Sequence, residues 1–218
     1  MKQLASRQPF LEVLRDHLLR VAVGVSGLAA TAGFNGLYFA HMAAYMSGVL
    51  GYHPRQAVVS QTIGVIVHAL GILAVGRLAG HLHPRLLLRA GALALAALAF
   101  PFYAALAGHS MNPTLLLVLA AVCASFVNGS FAVLLTDLFP TRVRFSGVAL
   151  GFNVAFTAFS GTAPLVATSL IRSTGLITAP ALVMIGCSLL TLVGSLGLSQ
   201  AGGHVLRDPS SRTSCPPV

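Results

Sequence analysis

Charge is scarce in this sequence. Of its 218 residues only 8% are charged and 56% are hydrophobic, and the mean hydropathy is +0.86. Soluble domains carry roughly a quarter charged residues, so a chain this poor in charge cannot cover its surface against water, and the lipid bilayer is its natural solvent. Acids are scarcer still, four in all, and none falls inside an apolar run. The three cysteines, Cys123, Cys187 and Cys215, have neither metal-ligand nor redox spacing. No nucleophile–base pair, metal cluster or phosphate loop is visible, and the glycine-rich stretches lie within apolar runs rather than between strand and helix. These absences argue against an enzyme and imply no cofactor. The net charge of +9 does not indicate nucleic acid, because the thirteen basic residues are spread over separated loops and form no stripe.

Six apolar stretches are each long enough for the roughly 20 residues a membrane helix needs. They run from about Leu18 to Met46, Ala57 to Leu78, Leu86 to Leu106, just after Asn112-Pro113 to Asp137, Ser146 to Ile171, and Ala179 to Leu198. Helices are expected because an open sheet leaves its backbone unpaired in lipid. The fold class is therefore all-α: a cytoplasmic lead-in over 1–17, a six-helix transmembrane domain over 18–199, and a disordered cytoplasmic tail over 200–218. The lead-in carries Glu12 and Asp16, does not read as a cleaved signal peptide, and is expected to form a short amphipathic helix from Pro9 to His17. Prolines at 54, 84, 113, 140 and 180 punctuate the loops. Pro101 and Pro164 lie within spans and imply kinks.

Loop charge sets the orientation. Lys2, Arg7, Arg15, Arg20, Arg77, Arg85, Arg89, Arg142, Arg144, Arg207 and Arg212 fall on one side; only Arg55 and Arg172 fall on the other. The basic side is the cytoplasm, so an even number of spans in the cell membrane places both termini there.

Polar residues inside a span should face a partner helix or a cavity. The first span holds Ser26, Thr31, Asn35, Tyr38 and His41; the second Gln61, Thr62 and His68; the fourth Ser125, Asn128 and Ser130; the fifth Asn153, Thr157, Ser160 and Thr162. The third and sixth are nearly bare, with little beyond Arg89, Ser188, Thr191 and Ser195. Four helices thus read as lining and two as lipid-facing support. For Asn35, Asn128 and Asn153 the alternatives are cavity lining and helix–helix bonding. For His68 they are a buried neutral histidine bonded to a neighbour, or a substrate or proton contact. Asn35-Gly36-Leu37-Tyr38-Phe39-Ala40 faintly echoes Asn128-Gly129-Ser130-Phe131-Ala132, as a 3+3 repeat would. Gly76 and Gly80, and Gly147 and Gly151, have the spacing that permits close helix contact. Asp137 sits at a helix C-terminus, where an anion opposes the macrodipole. It is expected to pair with Arg142 or Arg144 across the turn at Pro140, or with Arg77 or Arg85 from the second loop, as a structural charge cluster.

The stretch Leu135-Thr136-Asp137-Leu138-Phe139-Pro140-Thr141-Arg142-Val143-Arg144, continuing to Asn153 and then Gly161-Thr162-Ala163-Pro164, strongly resembles the metabolite:proton symporter family of the major facilitator superfamily. Gly33-Phe34-Asn35 to Tyr38 and Ala99-Phe100-Pro101-Phe102 also resemble its seventh and ninth helices. Members carry osmolytes such as proline and betaine, or organic acids such as citrate, oxoglutarate and shikimate. The resemblance covers about Pro9 to Leu198 and corresponds to helices seven to twelve of the family's twelve, one 3+3 half of the fold. It implies a half-transporter for a small polar metabolite, lined by Asn35, Tyr38, His68, Asn128 and Asn153. Such a chain would need a separate N-terminal half, or a homodimer partner, because the family's main proton-coupling carboxylates lie in the other half. The competing reading is a non-transporting membrane protein: a truncated remnant or a six-helix interaction unit. Gly80 stands where relatives usually carry an acid, so the gating contact of that loop is altered.

Overall fold

The computed structural model describes residues 18–139 and 143–201, with side chains through residue 197. The described residues form helices and no strands. We number these α1 (Leu18–Gly27), α2 (Ala29–Asn35), α3 (Met42–Gly48), α4 (Pro54–Leu78), α5 (Pro84–Ala107), α6 (Pro113–Leu138), α7 (Arg144–Ala155), α8 (Ala163–Thr174) and α9 (Pro180–Ala201). Two wide π-helical segments, Gly36–His41 and Phe156–Ser160, join α2 to α3 and α7 towards α8. By length and composition five helices can cross a membrane, and six if the bent first pair counts as one. The lead-in, with the helix expected over Pro9–His17, lies outside the described residues, as does the tail from 202 on.

The helix starts reflect loop chemistry. Proline occupies the first turn of α4, α5, α6 and α8, where its missing N–H would be unpaired anyway. His53 Nδ1 accepts from the Arg55 amide and Asn112 Oδ1 from the Thr114 amide at the starts of α4 and α6.

The first span is not one straight helix. It bends by 47° between α1 and α2, and a side chain inserted into its backbone ladder accounts for the bend. Thr191 Oγ1, on α9, accepts from the Ala30 amide at 2.7 Å and donates to the Ser26 carbonyl at 3.2 Å. Ser26 and Ala30 would otherwise bond to each other. Of the expected proline kinks, Pro164 comes after the second wide segment and a turn at Gly161-Thr162, whereas α5 continues as helix through Pro101.

α6 is the most buried span and packs against α4 and α5; α9 packs against α5, α1 and α2; α7 packs against α1. The second and fifth spans are the least buried. The third and sixth, expected as outer support, carry inward polar contacts instead: Ser188, Thr191 and Ser195 are buried, and Arg89 donates from Nε to Ser195 Oγ at 3.0 Å and from Nη2 to the Ser195 carbonyl at 3.1 Å. Few polar residues therefore did not mean an absence of inward polar contacts, although the same two spans also expose Leu86, Leu93, Leu189 and Val193. Of the glycine pairs, Gly76 has no close neighbour, while Gly147 packs under the Phe139 ring.

Candidate functional site

The polar residues of the second and fourth spans meet in a buried seam. His68 is 3% exposed and Asn128 7%. His68 Nδ1 lies 3.0 Å from the Ala121 carbonyl. A carbonyl only accepts, so Nδ1 carries a proton; in the neutral ring Nε2 is then an acceptor, and the Asn128 amide donates to it at 3.0 Å. Ser125 Oγ lies 3.2 Å from Nδ1 and donates to the Ala121 carbonyl at 2.8 Å. Phe34 and Phe39 flank the imidazole at ring-centroid distances of 5.3 and 5.9 Å. Both ring nitrogens are thus engaged by α6, the arrangement of a histidine bonded to a neighbouring helix.

Tyr38 joins this seam from the first span. It is buried, stacks on Phe34 at 4.7 Å, and donates its hydroxyl to the Leu117 carbonyl at 3.0 Å. The hydroxyl reaches α6 by passing over Gly64, where any side chain would occupy its place. Tyr38 lies in the wide turn Gly36–His41, whose carbonyls are drawn off the regular ladder. Gln61 Nε2 meets two of them, donating to Tyr38 at 2.7 Å and to Phe39 at 3.2 Å.

Tyr38, His68 and Asn128 are therefore brought together, while Asn35 and Asn153 are not bonded into the seam. Asn35 is half-buried and donates to the Thr31 carbonyl one turn back at 2.7 Å. Asn153 is exposed on α7, donates to the Ala149 carbonyl at 2.8 Å, and borders an open groove with Phe145, Ser146, Ala149 and Leu150. The sequence echo does not carry through to equivalent bonding: Asn35 turns to its own helix, Asn128 to His68.

At the basic end Asp137 is half-buried, and its buried Oδ1 accepts no hydrogen bond among the described residues. Arg144 Nε donates instead to the Phe139 carbonyl at 3.3 Å. Arg142 lies outside the described residues. Arg77 ends α4 and Arg85 opens α5, either side of the second loop.

Sequence reasoning counted Gln61 and Thr191 among the polar residues of the spans but made neither a site candidate. Gln61 had a usable signal, as a primary amide in a span needs several partners. Thr191 had none, because threonines that merely bond back to their own helix look the same in sequence.

No family model matches the chain. It is 25% identical over 190 residues to the ectoine/proline transporter ProP of Corynebacterium glutamicum, a match covering 87% of this chain and 38% of that protein. The chain spans well under half the length of this relative. That distant likeness and the bundle of apolar helices together support a membrane protein of the major facilitator type.

Proposed function

We propose that the chain is the six-helix half of a major-facilitator-type secondary transporter for a small osmolyte or organic acid, working beside an N-terminal half in proton-coupled transport. The observation that carries this reading is the 190-residue likeness to an ectoine/proline transporter, which extends over most of the chain. The polar seam fits it. In alternating access two halves rock about a midplane site, so each must be internally rigid, and His68, Asn128 and Tyr38 bond the spans of this half to one another. Asn35 and Asn153 use amide hydrogens on their own helices and keep their oxygens for a substrate N–H. The sparsely buried second and fifth spans offer faces for the other half. The one acid in the described spans, Asp137, sits one residue from the end of α6 and away from the middle of the bundle, so on this reading the coupling carboxylates belong to the other half. The charge asymmetry supports a topology with both termini on the cytoplasmic side of the cell membrane; reporter fusions at the tail and at Asn112 should report opposite sides.

Proteoliposomes with an imposed proton gradient test the reading, assayed with proline, ectoine, betaine and a panel of organic acids. The chain alone should accumulate none of them. Co-reconstitution with the N-terminal half of a relative should restore gradient-dependent uptake. Accumulation by the chain alone that vanishes in His68→Ala would overturn the division of labour and make the histidine the coupling group.

A further inference from the structure

The wide turn of the first span is held from two sides. On one side Gly36 lies against the backbone of Ser160, with no room for a side chain, where the fifth span has its own wide segment. On the other, the half-buried Gln61 donates from Nε2 to both the Tyr38 and Phe39 carbonyls. Among the described residues no other side chain bonds to a carbonyl of Gly36–His41. A π turn accommodates one more residue than an α turn, and successive α-helical residues are turned by about 100°. Closing the turn would therefore rotate the residues beyond it relative to α2. Phe39 and Ala40 are exposed, and His41 is half-buried, its buried Nε2 without a hydrogen-bond partner among the described residues.

We propose that Gln61 is a positioning residue that holds the first span in its wide-turn register and so fixes which face Phe39, Ala40 and His41 present. Three features support this. Both carbonyls the amide meets, those of Tyr38 and Phe39, lie within the wide turn. Its donor is the only part of the amide they can use, because a carbonyl oxygen only accepts. Tyr38 is pinned to α6 through its hydroxyl, so a change of register is confined to the residues after it. The inference concerns the register of one helix and stands independently of any transport activity.

The test uses the full chain with Cys123, Cys187 and Cys215 replaced and one reporter cysteine at a time, at Phe39 (40% exposed) or, as reference on the second span, at Val58 (55% exposed). Maleimide labelling rates are compared in Gln61→Leu, which removes the donor, and Gln61→Glu, which sets an acceptor against the two carbonyls. Deletion of Ala40 closes the turn by removing its extra residue and supplies the rate for the closed register. The ratio of rates at 39 and 58 should move by about fivefold or more toward the deletion value in both variants, the shift expected when the amide's two contacts together bias the register by at least one ordinary hydrogen bond. Adding Gln61→Leu to the deletion should change nothing further. An unchanged ratio in folded Gln61→Leu, or a further change on top of the deletion, overturns the proposal. If Gln61→Leu lowers folded yield, recovery of yield on deleting Ala40 supports it and failure to recover overturns it.

Discussion

Thr191 and Ala30 lie 161 positions apart in the chain, yet the threonine hydroxyl accepts the Ala30 amide at 2.7 Å. The bond substitutes for a rung of the first span's own ladder, since the same hydroxyl donates to the Ser26 carbonyl that Ala30 would have used. A helix interrupted in lipid must find other partners for its freed groups, and here a single hydroxyl supplies both. The first span is interrupted twice, and each time a neighbouring span completes it: the sixth through Thr191, the second through Gln61.

Thr191→Val keeps the shape of the side chain and removes the hydroxyl. The freed amide and carbonyl can then re-pair, so the variant should fold, with a loss of about 1–2 kcal/mol, and the first span should straighten. With a rise of 1.5 Å per residue, spin labels at Leu19 and Ala44 should separate by roughly 3 Å on straightening. Thr191→Ser keeps the hydroxyl and should keep the wild-type distance. Equal distances in all three proteins would show that the bend has another cause.

His68 and Asn128 should behave as one unit. Each single alanine variant leaves the other group buried and short of a partner, at about 1–3 kcal/mol. The double variant should cost little more than either single, giving a coupling energy on the order of 1–3 kcal/mol. A thiol-reactive dye suits the melting measurement, because Cys123 is half-buried and Cys187 buried, so unfolding exposes them. Additive losses would mean that the 3.0 Å contact contributes no coupling.

The spans and their ends were legible in the sequence because lipid leaves the backbone few choices: apolar length set the helices, and prolines and loop charges set their limits. The polarity of the second and fourth spans likewise pointed to His68 and Asn128, whose polar groups demand burial with partners. What the sequence did not reveal is where a helix deviates from regular winding. The first span reads as one continuous stretch with no proline to break it, and its bend depends on a threonine in the sixth span that nothing local distinguishes. The same holds for Asn35 and Asn153: an amide bonded back to its own helix and one bonded across a seam have the same sequence.

Asp137→Asn should lower folded yield while leaving any substrate preference unchanged. A carboxylate at the C-terminus of α6 meets the negative end of the helix dipole, and its half-buried position makes an unpaired charge costly. We propose that it is held by a loop arginine, Arg142 being the nearest in sequence. Arg142→Gln should then lower yield by a similar amount, and the two changes together by little more than either. Detergent-extracted, size-fractionated protein is the quantity to compare. Full yield for Asp137→Asn with altered selectivity would make the aspartate a site residue instead.

Gly64 and Tyr38 give a prediction in which a sign reverses. In an ordinary helix Gly→Ala stabilises by about 1 kcal/mol, and α4 is continuous helix around Gly64. Here, however, a Cβ at position 64 would land on the Tyr38 hydroxyl. The ring cannot swing aside freely, because it stacks on Phe34 and its hydroxyl is bonded to the Leu117 carbonyl. Gly64→Ala should therefore destabilise, by the 1–3 kcal/mol or so typical of overpacking. Tyr38→Phe alone forfeits one hydrogen bond, about 1 kcal/mol, and removes the worst clash, leaving the ring carbon Cζ 3.1 Å from the new methyl. In that background the ring needs to give by only a few tenths of an ångström, so the Gly64→Ala penalty should shrink by about 1 kcal/mol or more toward neutral as helix propensity offsets it. Dye-monitored melting of the four proteins decides the matter. A Gly64→Ala penalty of the same size in both backgrounds would place the clash elsewhere than at the tyrosine hydroxyl.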